Sequence, residues 1–149
     1  MAENVHAGLV AIGGRGILVT GPARSGKSSL VVSLLRASAR EGMAGALVAD
    51  DRVDLTYRGG AVFGRAPTVI SGLIEISGAG LVRLPVLPEA RIDLVAVLGE
   101  TSERLPEEPF VRLMDVSVRR VFLPARQAPF AADILLTLLL AGDDALQNL

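Results

Sequence analysis

The stretch Gly21-Pro22-Ala23-Arg24-Ser25-Gly26-Lys27-Ser28 limits what this chain can fold into more than any other. It fits the pattern glycine, four residues, Gly-Lys-Ser, and its flanks fit as well. Before it, residues 8–20 (GLVAIGGRGILVT) form two apolar, β-rich runs around Gly13-Gly14-Arg15-Gly16. They read as strand, glycine turn and strand. After it, Leu30, Val31, Leu34, Leu35 and Ala37 share one helical face, which predicts a helix over 27–40 that stops at Gly42. Strand, glycine loop and helix together make a phosphate cradle. Glycines let backbone N–H groups turn inward, and the helix start adds its positive end.

Lys27 is the only lysine among 15 basic residues; the rest are arginine. A slim, mobile ammonium fits a narrow nest of N–H groups, where a planar guanidinium would crowd it. The Ser28 hydroxyl can ligate Mg²⁺ bridging the phosphates. Gly21, Pro22, Ala23, Arg24, Ser25, Gly26, Lys27, Ser28 and Ser29 are therefore the candidate ATP-binding residues.

Beyond the loop, residues 46–49 read as a short apolar strand ending at Asp50-Asp51, and 53–63 as a hairpin around Gly59-Gly60. Residues 66–85, rich in glycine and broken by proline, predict loops and short elements. Residues 92–98 read as a strand and 101–109 as a polar linker. Strand character over 111–116 and 118–123, a final helix over 130–141 and a frayed tail over 142–149 complete the pattern. This predicts one α/β domain over 1–149 with a mixed, strand-rich sheet. Only five residues are aromatic, so the core must be built from Val, Leu, Ile and Ala.

Net charge of −1 argues against a nucleic-acid partner. The lack of cysteine excludes disulfides and thiolate metal sites. No apolar run reaches a membrane span and no leader opens the sequence, so the expectation is a cytoplasmic protein with no membrane partner.

Three further positions carry chemistry. Asp50 and Asp51 end a strand near the loop, where one carboxylate could hold Mg²⁺ and the other accept a proton from an attacking hydroxyl; Asp also commonly opens turns. Glu75 is the only acid in the apolar stretch 66–82. It reads either as a metal ligand or as a residue on the wet face of an edge strand. His6, the single histidine, precedes the hairpin that feeds the loop.

In order along the chain, Val5-His6-Ala7, GPARSGKS, LVADD and GLIEISGAGLV resemble the catalytic domain of the HPr kinase/phosphorylase family. The resemblance implies a P-loop fold of the phosphoenolpyruvate carboxykinase-like type. It implies serine phosphorylation of the phosphocarrier HPr with ATP and Mg²⁺, a reverse phosphorylase direction, and a homo-oligomer, a hexamer. By position it implies that Lys27 and Ser28 bind phosphate and metal. Asp51 becomes the general base, His6 lies near the phosphates, and Glu75 and Asp50 become metal ligands. Arg104 becomes an active-site arginine. It further implies a short form without the N-terminal domain of full-length members, as in some alphaproteobacteria. Ser77 stands where the family usually has arginine, and residues 124–129 (PARQAP) depart from a proline-arginine segment tied to the reverse reaction. Both changes remove positive charge, which keeps a second class of function open: an ATP-binding regulatory module with weak catalysis. A small-molecule P-loop kinase is a third reading; no arginine-rich lid is evident, though Arg119-Arg120 keeps it open.

Overall fold

The computed structural model describes residues 2–68, 72–76, 78–99 and 108–141. The first strands are β1 (Ala2–His6), β2 (Gly8–Ile12), β3 (Arg15–Thr20), β4 (Gly45–Ala49), β5 (Arg52–Arg58) and β6 (Ala61–Arg65). They continue as β7 (Leu73–Ile76), β8 (Gly80–Arg83), β9 (Ala90–Gly99), β10 (Phe110–Leu113) and β11 (Val116–Pro124). The two 3.6-residue patterns become α1 (Lys27–Arg40) and α2 (Ala128–Ala141).

The main sheet runs β1-β5-β6-β9-β3-β2-β4, with β11 also on β9 and β10 on β11; β7 and β8 pair separately. β3 and β11 both pair parallel to β9. β4 and β3 are each antiparallel to β2, so they run the same way. The sheet is therefore mixed, curled and strand-rich, as its many apolar runs require.

Every residue of β2 is buried because both faces of the sheet are covered. On one face Val10, Ile12, Ile17, Val19 and Leu94 pack with Leu30 and Leu34 of α1 and Leu135 of α2. On the other, Leu9, Ala11, Leu18 and Val95 pack with Val53, Leu55 and Val62 of the β5–β6 hairpin. Gly64 lets that hairpin close down: a Cβ there would lie 2.6 Å from Leu9 and 2.8 Å from Val53. Leu30 and Leu34 are fully buried, and truncating either to Ala is worth about 2–5 kcal/mol of stability.

Two β-bulges set which side chains face which core. Gly16 pairs with Ile92 but Ile17 with Leu94, so Asp93 is the additional residue on β9. A bulge flips the alternation beyond it. Ala90 and Ile92 accordingly share a face with Val95, while Leu94, Ala96 and Leu98 face the helices.

Three local expectations need correction. The sequence reading left β1 unassigned, because its five residues AENVH carry too little apolar pattern; register against β5 makes it a strand. The break expected at Ser117 falls instead at Met114-Asp115, which adopt φ 48° and 65° and turn the β10–β11 hairpin. The last helix starts at Ala128, not at residue 130. Pro129 sits in its first turn, where its missing N–H has no intrahelical partner to lose. The tail 142–149 and the linker residues 101–107 lie outside the described residues. No described helix is long and apolar enough to cross a membrane.

Candidate active site at one edge of the sheet

Topology brings the chemistry to one edge. The carboxyl ends of β3, β4, β9 and β11 point the same way, and β2 begins there because it is antiparallel to β3 and β4. Gly8 pairs with Val19, and Leu9 with Ala49. The loop after Thr20, the acids after Ala49 and the His6-Ala7 junction before β2 therefore converge. Open α/β sheets take ligands at the carboxyl ends of their strands.

The loop has the backbone of an anion nest. Gly21 has φ 154° and Gly26 φ 94°. A Cβ on Gly21 would lie 2.7 Å from Ser25 Oγ and 2.8 Å from the Leu98 carbonyl, so only glycine fits against β9. Arg24 holds φ 66°, a conformation that costs a side-chain-bearing residue strain. Gly26 caps α1 without a side-chain hydrogen bond, and no acid lies in the first turn. The N–H groups at the start of α1 thus meet no protein carboxylate from their own helix. Lys27 Nζ donates to the carbonyls of Gly21 at 2.8 Å and Pro22 at 3.1 Å, which places the ammonium over the loop. Ser28 is half-buried and Ser29 exposed in the first turn. Ser25 is 3% exposed, and its Oγ has no hydrogen-bond partner among the described residues.

Beside the loop stand the two acids. Asp51 has φ 73°, and its Oδ1 lies 3.4 Å from His6 Nδ1. The Asp51 carbonyl accepts from the Ala7 N–H at 3.0 Å, which ties the acid turn to the start of β2. Asp50 is raised above the ordinary carboxylate range. Partial burial is the main cause and the charge of Asp51 the second; a backbone hydrogen bond at Asp51 and the charge of Lys27 oppose them. Asp50 keeps contact with solvent while protein crowds it from behind.

The structure brings Lys27, Ser28, Asp50, Asp51 and His6 to this edge. The acidic strand β4 does not adjoin the loop strand β3; β2 lies between them. Glu75 sits on the exposed side of β7 opposite buried Ile74, with no ion pair among the described residues, as its edge-strand reading expects. β7 itself packs on α1, the helix that the loop opens. Arg104 and Ser77 lie outside the described residues.

Sequence reasoning missed one further candidate, Arg126. The Arg126 N–H donates to the Ser25 carbonyl at 3.0 Å, and a Cβ on Gly26 would lie 3.4 Å from Arg126 Cα. The turn between β11 and α2 therefore rests on the phosphate loop and delivers an arginine there. The signal was the arginine in PARQAP, discounted because its neighbours depart from the family pattern.

Among the described residues no three His, Cys, Asp or Glu groups cluster as a metal site. A loop hydroxyl with one or two carboxylates suits Mg²⁺ whose shell is completed by phosphate oxygens and water. The residues present fit that group.

The model of the HPr Serine kinase C-terminal domain matches residues 1–140. This chain belongs to that family. Among curated members, the HPr kinase/phosphorylase of Clostridium acetobutylicum is 33% identical over 135 residues, covering 82% of this chain and 42% of that protein. That of Geobacillus thermodenitrificans is 33% identical over 136 residues with the same coverage. The chain thus spans about two fifths of the length of these HPr kinases. The structure of the HPr(Ser) kinase/phosphatase from Coxiella burnetii superposes with a TM-score of 0.72 at 26% identity, over 94% of this chain and 99% of that one.

Proposed function

We infer that this chain is an ATP-dependent protein-serine kinase acting on HPr or an HPr-like carrier, built on the phosphoenolpyruvate carboxykinase-like type of P-loop fold. One observation carries the reading: a phosphate loop with its lysine, an acid pair and a histidine meet at one sheet edge in a member of this family. The loop N–H groups and Lys27 would hold the β- and γ-phosphates of ATP, and Ser28 and Asp50 would hold Mg²⁺, with Glu75 as a further candidate ligand. The bound ion supplies charge neutralisation on the phosphoryl oxygens. Asp51 accepts the proton of the substrate serine as it attacks the γ-phosphorus in line, and His6, within reach of that carboxylate, steadies it. Lys27 and Arg126 flank the charge that spreads over the phosphoryl group.

A second reading exchanges the roles of the acids. Asp50 holds a proton more tightly than an ordinary aspartate, which suits a general base better. The reverse reaction draws support from Arg126, whose backbone rests on the loop and so keeps an arginine in the altered segment next to it.

The test is transfer of labelled γ-phosphate from ATP to purified HPr of the same organism. Labelled HPr is expected, with loss of about 10²–10⁴-fold in Asp51→Asn and near-intact ATP binding. ATP binding without transfer would support the sensor reading instead. Pyrophosphate formed from phosphorylated HPr and inorganic phosphate would establish the reverse direction.

A further inference from the structure

The proposed function gives the Ser25 hydroxyl no task. Ser25 sits within the phosphate loop, 3% exposed, and its Oγ has no hydrogen-bond partner among the described residues. The backbone of the same residue is fully engaged. Its N–H donates to the Pro22 carbonyl at 3.2 Å, and its carbonyl accepts from the Arg126 N–H at 3.0 Å. A buried hydroxyl without a partner lowers stability, so its presence calls for a reason. The hydroxyl packs against Gly21, where an added Cβ would lie 2.7 Å from Ser25 Oγ. The carbonyl of that same Gly21 accepts from Lys27 Nζ at 2.8 Å, and a second Nζ bond reaches the Pro22 carbonyl at 3.1 Å.

An ammonium has three N–H donors, and here two of them are committed to loop carbonyls. Gripping the β- and γ-phosphates takes at least two, so Lys27 must release one carbonyl or both. The Pro22 carbonyl keeps a donor when that happens, the Ser25 N–H. The Gly21 carbonyl has no donor besides Lys27 among the described residues, and the idle donor packed against Gly21 is the Ser25 O–H. We propose that Ser25 is a positioning residue that frees Lys27 for the ligand. As the ammonium turns to the phosphates, the Ser25 hydroxyl moves onto the Gly21 carbonyl, and both loop carbonyls stay satisfied. While Lys27 holds both carbonyls, the loop keeps the arrangement in which the hydroxyl is idle. This inference rests on the proposed function for the phosphates that draw the ammonium away.

The test compares wild type, Ser25→Ala, Lys27→Ala and the double variant in two measurements on the full chain. Calorimetry with Mg²⁺ and AMP-PNP should show binding about three- to tenfold weaker in Ser25→Ala than in wild type, the size of one neutral hydrogen bond. Urea unfolding without nucleotide should show the free Ser25→Ala chain as stable as wild type or more so, because Ala removes an unpaired hydroxyl and no bond. A residue that only props the loop would lose on both measurements. In Lys27→Ala the Gly21 carbonyl is open and the hydroxyl can take it. Adding Ser25→Ala to that variant should therefore lower the unfolding midpoint, opposite to its effect beside Lys27. This double-mutant cycle needs no nucleotide. It decides the Ser25–Lys27 exchange even if wild type binds no AMP-PNP, a result that would overturn the proposed function. Unchanged affinity in Ser25→Ala, in a wild type that does bind, overturns the inference. So does a free Ser25→Ala chain less stable than wild type. The Leu98 carbonyl lies 2.8 Å from the same added Cβ and is the competing acceptor. A hydroxyl that served Leu98 would give Ser25→Ala the same effect with and without Lys27, and that absence of coupling also overturns the inference.

Discussion

Gly21 and Asp51 show how much of the site rests on single backbone angles. At Gly21 a methyl group would press on Ser25 Oγ and the Leu98 carbonyl, neither of which is the end of a flexible chain. Gly21→Ala is expected to cost about 1–3 kcal/mol in urea unfolding and to weaken ATP binding, because the loop must lift from β9 to relieve the contact. At Asp51 the φ of 73° makes the choice of test residue matter. Asn tolerates that region, so Asp51→Asn probes the carboxylate alone, whereas Asp51→Ala adds backbone strain. An unfolding midpoint lower for the Ala variant than for the Asn variant would confirm that separation. At this scale the glycine-rich loop is legible in the sequence because its residues are contiguous and lie between an apolar β run and a helical pattern. The His6–Asp51 contact is not, because no local pattern states that β1 pairs with β5 and brings His6 opposite Arg52. The resemblance to a family placed His6 near the phosphates; its contact with Asp51 comes from the sheet register.

Among the elements, the β5–β6 hairpin depends on a carboxylate outside it. Glu89 precedes β9 and pairs with Arg58 of β5 at 2.6 Å and Arg65 of β6 at 3.2 Å, while Arg58 lies 3.9 Å over the ring of Phe63. This pairing, the hydrogen bond from Arg58 first, holds the Glu89 pKa below its ordinary value of 4.5. The depressed pKa means that the pairing contributes stability above the unfolded-state value and loses it as pH falls through the folded one. Glu89→Gln should therefore lower the melting temperature at pH 7 by a small margin, since the pair is exposed to water, and the difference should close below pH 4.5. Melting curves of both proteins across pH 3–7 check it. The hairpin itself was legible from Gly59-Gly60 between two β runs, and α1 from its apolar spacing. The bulge at Asp93 was not. The run Ile92 to Leu98 reads equally well as an unbroken strand, and only pairing with both β3 and β11 fixes where the alternation slips.

For the whole molecule, one mixed sheet presents its phosphate loop and acid pair at a common edge, so protonation there is coupled both to folding and to ligand binding. Folding raises the Asp50 pKa above 3.8. The folded chain thus holds that proton more tightly than the unfolded chain. Stability linked to Asp50 is complete below the unfolded value and is lost as pH rises through the folded one. Asp50→Asn should accordingly raise the melting temperature at pH 7, and the gain should vanish as pH drops below 3.8. The same group separates the two assignments of the acids. If Asp50 ligates Mg²⁺, the cation favours its ionised form, and binding of Mg²⁺·AMP-PNP at weakly acidic pH releases protons. If Asp50 faces the γ-phosphate as the base, the phosphate charge favours its protonated form, and binding takes protons up. Calorimetry in two buffers of different ionisation enthalpy reads the sign directly. Release is the expected result, with Asp51 as base and Asp50 on the metal, and it should disappear in Asp50→Asn. Uptake that disappears in the same variant would move the base from Asp51 to Asp50 and leave the rest of the site standing.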